Sequence, residues 1–96
     1  MRPSDAVRMH SAEIRRIALE HRTSDVRVFG SSLRGDDIEG SDLDLLVNPG
    51  DSATYFDLAR LQSRLEQLLG VPVDVLTPDS LPPSFRSRVL AEARPI

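Results

Sequence analysis

Residues 41–47 read SDLDLLV, and their alternation decides what kind of fold this chain forms. Side chains on a strand reverse faces at every step, so Leu43, Leu45 and Val47 share one face while Asp42, Asp44 and Leu46 share the other. The first face belongs against a core. The second carries two carboxylates about 7 Å apart along the strand.

Working outward, residues 73–77 (VDVLT) repeat the polarity, with Val71, Val73 and Val75 on one face and Asp74 on the opposite one. Pro72 marks an edge strand or a first residue whose N–H the ladder does not need. Between the two strands, NPGDS breaks the chain. A helix over residues 53–69 follows, capped by Asp51 or Ser52, buried through Leu58, Leu61, Leu65, Leu68 and Leu69, and closed by Gly70. Upstream, residues 26–30 (VRVFG) predict a strand that stops at glycine. Residues 4–21 predict an amphipathic helix with Ser4 or Asp5 as N-cap and Val7, Ile14, Ile17 and Ala18 at helical spacing. After the LPP break, residues 82–93 predict a last helix with Phe85, Val89 and Leu90 on one side. The order is helix, strand, turn, strand, helix, strand, helix. It predicts one α/β (α+β) domain over residues 1–96: a small mixed or partly parallel sheet, helices mainly on its apolar face, and an acidic active-site face.

Composition fits a globular chain: 40% of residues are hydrophobic and 28% charged, outside the range of disordered sequences. With no cysteine, disulfides and thiolate metal centres are excluded. No apolar run reaches the roughly 20 residues that span a bilayer, and the N-terminus lacks a signal-peptide core, so no membrane partner and a cytoplasmic location are expected. All 12 basic residues are arginine, but the net charge is −3 and no basic cluster is visible. Direct nucleic-acid binding through a phosphate-neutralising surface is not expected.

If the strand of Asp74 neighbours that of Asp42 and Asp44, three carboxylates meet on one patch. They repel one another unless something positive sits between them, and a hard divalent cation held by oxygen ligands meets that need. Gly30 to Gly35 (GSSLRG) supplies a counterpart. Gly30 allows close backbone approach, and the N–H groups and hydroxyls of Ser31 and Ser32 suit a polyphosphate, above all where a short helix begins. Arg34 adds charge or braces the turn. Taken singly, each feature has an ordinary structural role open to it: a turn, an edge charge, a solvated acid. Asp36, Asp37 and Glu39 read as solvated loop charges. His10 and His21 stand too far apart along a helix to share a metal. Arg60 and Arg64 read as a solvated helix face paired with Asp57.

The three segments GSSLRG, SDLDLLV and VDVLT, with ten residues between Ser31 and Asp42, together resemble the small MNT (minimal nucleotidyltransferase) members of the DNA polymerase beta-like nucleotidyltransferase superfamily. The likeness runs over essentially the whole chain. It implies that Gly30 and Ser31 bind a triphosphate, with Ser32 and Arg34 as further nucleotide-binding candidates. It also implies that Asp42, Asp44 and Asp74 are catalytic and hold two Mg²⁺ ions, Asp74 also orienting or deprotonating the acceptor hydroxyl. ATP is then the substrate and pyrophosphate the leaving group. Larger relatives carry a further C-terminal domain for the acceptor. The resemblance therefore implies a partner: a HEPN-domain toxin ribonuclease, adenylylated on a tyrosine by this chain acting as antitoxin, with room for a joint oligomer of the two. Two other readings stay open here, inhibition of such a toxin by occlusion alone and transfer to a small aminoglycoside-type molecule.

Overall fold

The computed structural model describes Met1–Ile96. Its elements run α1 (Pro3–Glu20), β1 (Thr23–Phe29), α2 (Ser31–Arg34), β2 (Leu43–Pro49), α3 (Tyr55–Leu69), β3 (Val73–Leu76), a 3-10 turn (Pro78–Ser80), α4 (Arg86–Glu92) and β4 (Arg94–Pro95). One four-stranded sheet has the order β3-β2-β1-β4. β1 is antiparallel to β2 and to β4, whereas β2 and β3 are parallel, as a crossover through α3 requires. The sheet is mixed, as expected, and Pro72 stands just before an edge strand.

One face of the sheet is closed by α1 and α3. Its core joins 14 buried residues, among them Ile14 and Ile17 of α1, Leu61 and Leu65 of α3, and Leu43, Leu45, Val47 and Val73 of the sheet. The alternation of SDLDLLV therefore reads correctly: Leu43, Leu45 and Val47 are fully buried against the helices. No helix is long and apolar enough to cross a membrane.

The opposite face carries the aspartates, as expected, and is also covered in part, because Leu46 shares it with them and an exposed leucine would cost about 1.5–3 kcal/mol of lost burial. The 3-10 turn and α4 fold back over it, and Phe29, Leu46, Leu81, Val89 and Ala93 form a second core of 5 buried residues. Within the tail helix Val89 and Ala93 face inward, while Phe85 and Leu90 are each 37% exposed. The acidic face is thus half covered and half exposed.

Helix boundaries moved where one polar residue competed with another. α1 begins at Pro3 with Arg2 as N-cap, since proline at the first helical position brings a fixed φ and no N–H to satisfy. Ser4 does not cap, because its N–H and hydroxyl are taken by Asp37. α3 is capped by Thr54, not by Asp51 or Ser52. The Thr54 hydroxyl accepts from the Asp57 N–H at 3.3 Å, and the Asp57 carboxylate accepts from the Thr54 N–H at 2.8 Å, a capping box. Asp57 is thereby committed to the cap, and Arg64 pairs with Glu20 at 3.1 Å instead. β1 starts three residues early, at Thr23, and bulges between Ser24 and Arg27. β4, two residues long, is absent from the sequence reading.

Candidate active site

Three elements converge at the exposed half of the acidic face. In the parallel pair, Asp44 stands directly opposite Asp74, and neighbouring strands lie about 4.8 Å apart. Asp42 precedes β2 by one residue and belongs to the same face. On the other side of β2, Asp44 stands opposite Phe29 of the antiparallel β1, after which the chain turns at Gly30.

Gly30 has φ +74°, and a Cβ built there would lie 2.6 Å from Oδ2 of Asp44. Both facts demand glycine: the left-handed backbone disfavours side chains, and the carboxylate occupies the space one would need. The sequence predicts close approach of a ligand at Gly30. The structure adds that the group lying against its Cα is the Asp44 carboxylate.

Asp44 is half-buried, and its carboxyl is pushed up from 3.8 to about 6, first by burial and then by the charges of Asp74 and Asp42. No hydrogen bond or cation offsets these effects, and none of the eight ion pairs involves Asp42, Asp44 or Asp74. The three are not gathered into a preformed cage of three or more metal-ligating side chains. An all-carboxylate set still fits a hard cation of the magnesium type, which takes one or two carboxylates and completes its shell with water and substrate phosphate. It fits no soft metal.

The predicted turn residues separate. α2 starts at Ser31, directly after Gly30, and the N–H groups of a first helical turn have no partner within the helix. Ser31 is half-buried. Ser32 is 8% exposed, its hydroxyl has no partner, and it lines a cavity of about 460 Å³ with Arg2, Ser4, Val7, Arg8 and Ser11 of α1 and its N-cap, away from the aspartates. Arg34 is exposed, with Asp36 at 3.5 Å.

Asp37 corrects the reading of the loop acids. It is 3% exposed, accepting from the Ser4 N–H at 2.8 Å and the Ser4 hydroxyl at 2.9 Å, with Arg2 at 3.9 Å. Burial alone would raise its carboxyl, but the Ser4 hydrogen bonds and the Arg2 charge outweigh burial and hold it below the ordinary carboxylate range. Asp36 and Glu39 are exposed, as expected. His21 is buried, with Nδ1 at 2.9 Å from the Ile17 carbonyl, and lies far from the acids in sequence and face.

Comparison with known proteins identifies the family and the fold. The model of the nucleotidyltransferase domain family matches residues 11–96. A protein of Methanocaldococcus jannaschii named "Putative protein adenylyltransferase" is 42% identical over 89 residues, covering 88% of this chain and 96% of its own. "Protein adenylyltransferase MntA" of Thermococcus cleftensis is 37% identical over 68 residues, covering 71% of this chain and 69% of its own. Among solved structures, one described as a "putative minimal nucleotidyltransferase" superposes with TM-score 0.86 at 42% identity, over 97% of this chain and 95% of that one. A toxin–antitoxin crystallised with AMP-PNP shares the fold at 20% identity, with TM-score 0.74 over 88% of this chain and 69% of that one. An acidic strand pair beside a glycine–serine turn, on this sheet, matched over nine-tenths of its length, places the chain in the nucleotidyltransferase domain family, among its minimal, MntA-type members.

Proposed function

We propose that this nucleotidyltransferase transfers AMP from ATP to a hydroxyl of a partner protein, and that it acts as the antitoxin that adenylylates a tyrosine of a HEPN ribonuclease toxin. The observation that carries the reading is Asp44: a carboxylate pressed against Gly30, level with Asp74, raised towards neutrality and without any counter-charge. Structure alone gains nothing from such a group, whereas a cation and a nucleotide phosphate would relieve it. The names of the relatives at 42% and 37% identity support protein as the acceptor.

In this reading Gly30 and Ser31 hold the triphosphate through backbone N–H groups and the Ser31 hydroxyl, with Arg34 adding charge. Ser32 lines another cavity and is left out of this site. Asp42, Asp44 and Asp74 would hold two Mg²⁺ ions. Bound Mg²⁺ would offset negative charge on the attacking and leaving oxygens. The acceptor oxygen forms a bond to the α-phosphorus as the bond from that phosphorus to the bridging oxygen of the β-phosphate breaks, and pyrophosphate leaves. Asp74, on the exposed edge strand, orients the acceptor hydroxyl and takes its proton.

Incubating the protein with MgATP and a HEPN toxin encoded beside it, then weighing the toxin, tests this. The expected result is a toxin heavier by one or more AMP units, lost with Asp44→Asn. Neutralisation of the toxin with no mass change would show occlusion in place of transfer.

A further inference from the structure

α2 and α4 enclose a groove of about 500 Å³ lined by Leu33, Arg34, Arg88, Glu92 and Arg94. Three guanidinium groups against one carboxylate is an unusual concentration in a chain of net charge −3. Their charges are also little used. Arg88 takes part in no ion pair, and Arg94 donates only to the carbonyls of Ala91 and Ala93. Arg34 meets Asp36 at 3.5 Å, the limit of a hydrogen bond. The charged lining, three arginines less Glu92, sums to about +2.

The groove adjoins the candidate site. On α2, residues three apart share a face, so Arg34 stands one turn beyond Ser31, on its side of the helix. Gly30, against which the Asp44 carboxylate lies, begins that same turn. α4 sits on the face of the sheet that carries Asp44, anchored by Val89 and Ala93 in the cluster with Phe29. Arg88 and Glu92 each directly precede one of these anchors, which fixes them along the wall of the groove. Arg94, in β4, stands opposite Val28 of β1, on the sheet face that packs against the first core, and its guanidinium, turned back to the Ala91 and Ala93 carbonyls, closes the end of the groove farther from the aspartates.

We infer that this groove receives the β- and γ-phosphates of the nucleotide, with Arg88 joining Arg34 as a binding residue for the pyrophosphate end. The inference rests on the nucleotidyl-transfer reading and adds Arg88 from beyond the glycine–serine and aspartate motifs. When the bond to the α-phosphorus breaks, negative charge accumulates on the departing pyrophosphate, where these guanidinium groups offset it. Glu92 opposes them and limits how tightly the product is retained.

The test compares dissociation constants for MgATP and for AMP, measured by calorimetry on the full chain. Arg88→Ala is expected to weaken MgATP binding about fivefold to tenfold and to leave AMP within about twofold, because only ATP carries the phosphates in question. Arg88→Lys should recover part of the loss, and Glu92→Gln should tighten MgATP about twofold to threefold. Arg88 bonds to no other group, so the melting temperature of its variants should match the wild type and confirm folding. Unchanged MgATP affinity in Arg88→Ala, or an equal loss for ATP and AMP, would overturn the inference alone. Unchanged affinity with impaired transfer to a protein acceptor would assign the groove to the acceptor, and also overturn it. A wild-type chain that binds no MgATP would overturn both the inference and the reading beneath it.

Discussion

Asp37 and Asp44 lie seven residues apart, yet the fold treats the two carboxylates in opposite ways. Asp37 is buried deeper, accepts two hydrogen bonds from Ser4, faces Arg2, and is held below its ordinary range. Asp44 is half-buried, faces two other carboxylates, and is pushed up to about 6. Depth of burial therefore does not separate them. What separates them is whether the protein itself supplies the counter-charge: Asp37 is satisfied within the chain and ties the start of α1 to the loop, while Asp44 is left for something outside the chain to satisfy.

The contrast can be broken at several points. Asp44→Asn should lower adenylyl transfer on the order of 10³-fold, since charge stabilisation at the reacting phosphate is lost; product formation by mass spectrometry measures it, and retention of a tenth of the activity would refute the role. Gly30→Ala places a Cβ 2.6 Å from Oδ2 of Asp44 at a left-handed backbone position. Displacing the carboxylate should cost about 10²-fold in transfer, with about 1 kcal/mol of stability lost to the backbone. Asp37→Ala should do the reverse. Leaving the Ser4 donors unsatisfied costs about 2 kcal/mol in denaturant unfolding, while transfer per folded molecule stays within about twofold. A large loss of kcat at unchanged stability would place Asp37 in the wrong class.

pH sharpens the same comparison with opposite signs. Asp44 has a folded-state value above its unfolded one, so the ligand-free protein binds its proton more tightly than the unfolded chain does. Its cost to stability is absent below about pH 4 and grows as pH rises from 3.8 towards 6. Asp37, lowered on folding, contributes stability that is present above the ordinary carboxylate value and lost as pH falls through its depressed one. Thermal melts of the Asn variants across pH 3–8 should show Asp44→Asn stabilising only at the upper end and Asp37→Asn destabilising chiefly there. The smallest effect belongs to Glu39→Gln. That side chain is exposed, and its change should stay within about 0.5 kcal/mol.

Much of the site was legible because its signals are local. Period-two alternation puts Asp42 and Asp44 on one face whatever surrounds them, and Val73 to Val75 repeats the pattern for Asp74. The pairing that sets Asp44 level with Asp74 needed only that the two strands be neighbours. What stayed hidden depends on contacts distant in sequence. Asp37 read as a loop charge because Ser4, its partner, lies 33 residues away. Gly30 read as a ligand contact because the carboxylate that fills its Cβ position comes from the next strand. Leu46 alternates onto the acidic face, where a leucine requires a cover, and that cover, α4, comes from the far end of the chain. The start of α3 failed for another reason, since Asp51, Ser52 and Thr54 all suit a cap and only Thr54 has Asp57 three residues on.

The central claim is that Asp44 costs the empty protein stability and is relieved by metal-bound nucleotide. It is tested most directly by melting the wild type and Asp44→Asn at pH 8 with and without MgATP. The account predicts that the empty variant melts above the empty wild type, and that MgATP raises the wild type strongly and the variant little. A variant less stable than the wild type without ligand, or equal stabilisation of both by MgATP, would contradict it.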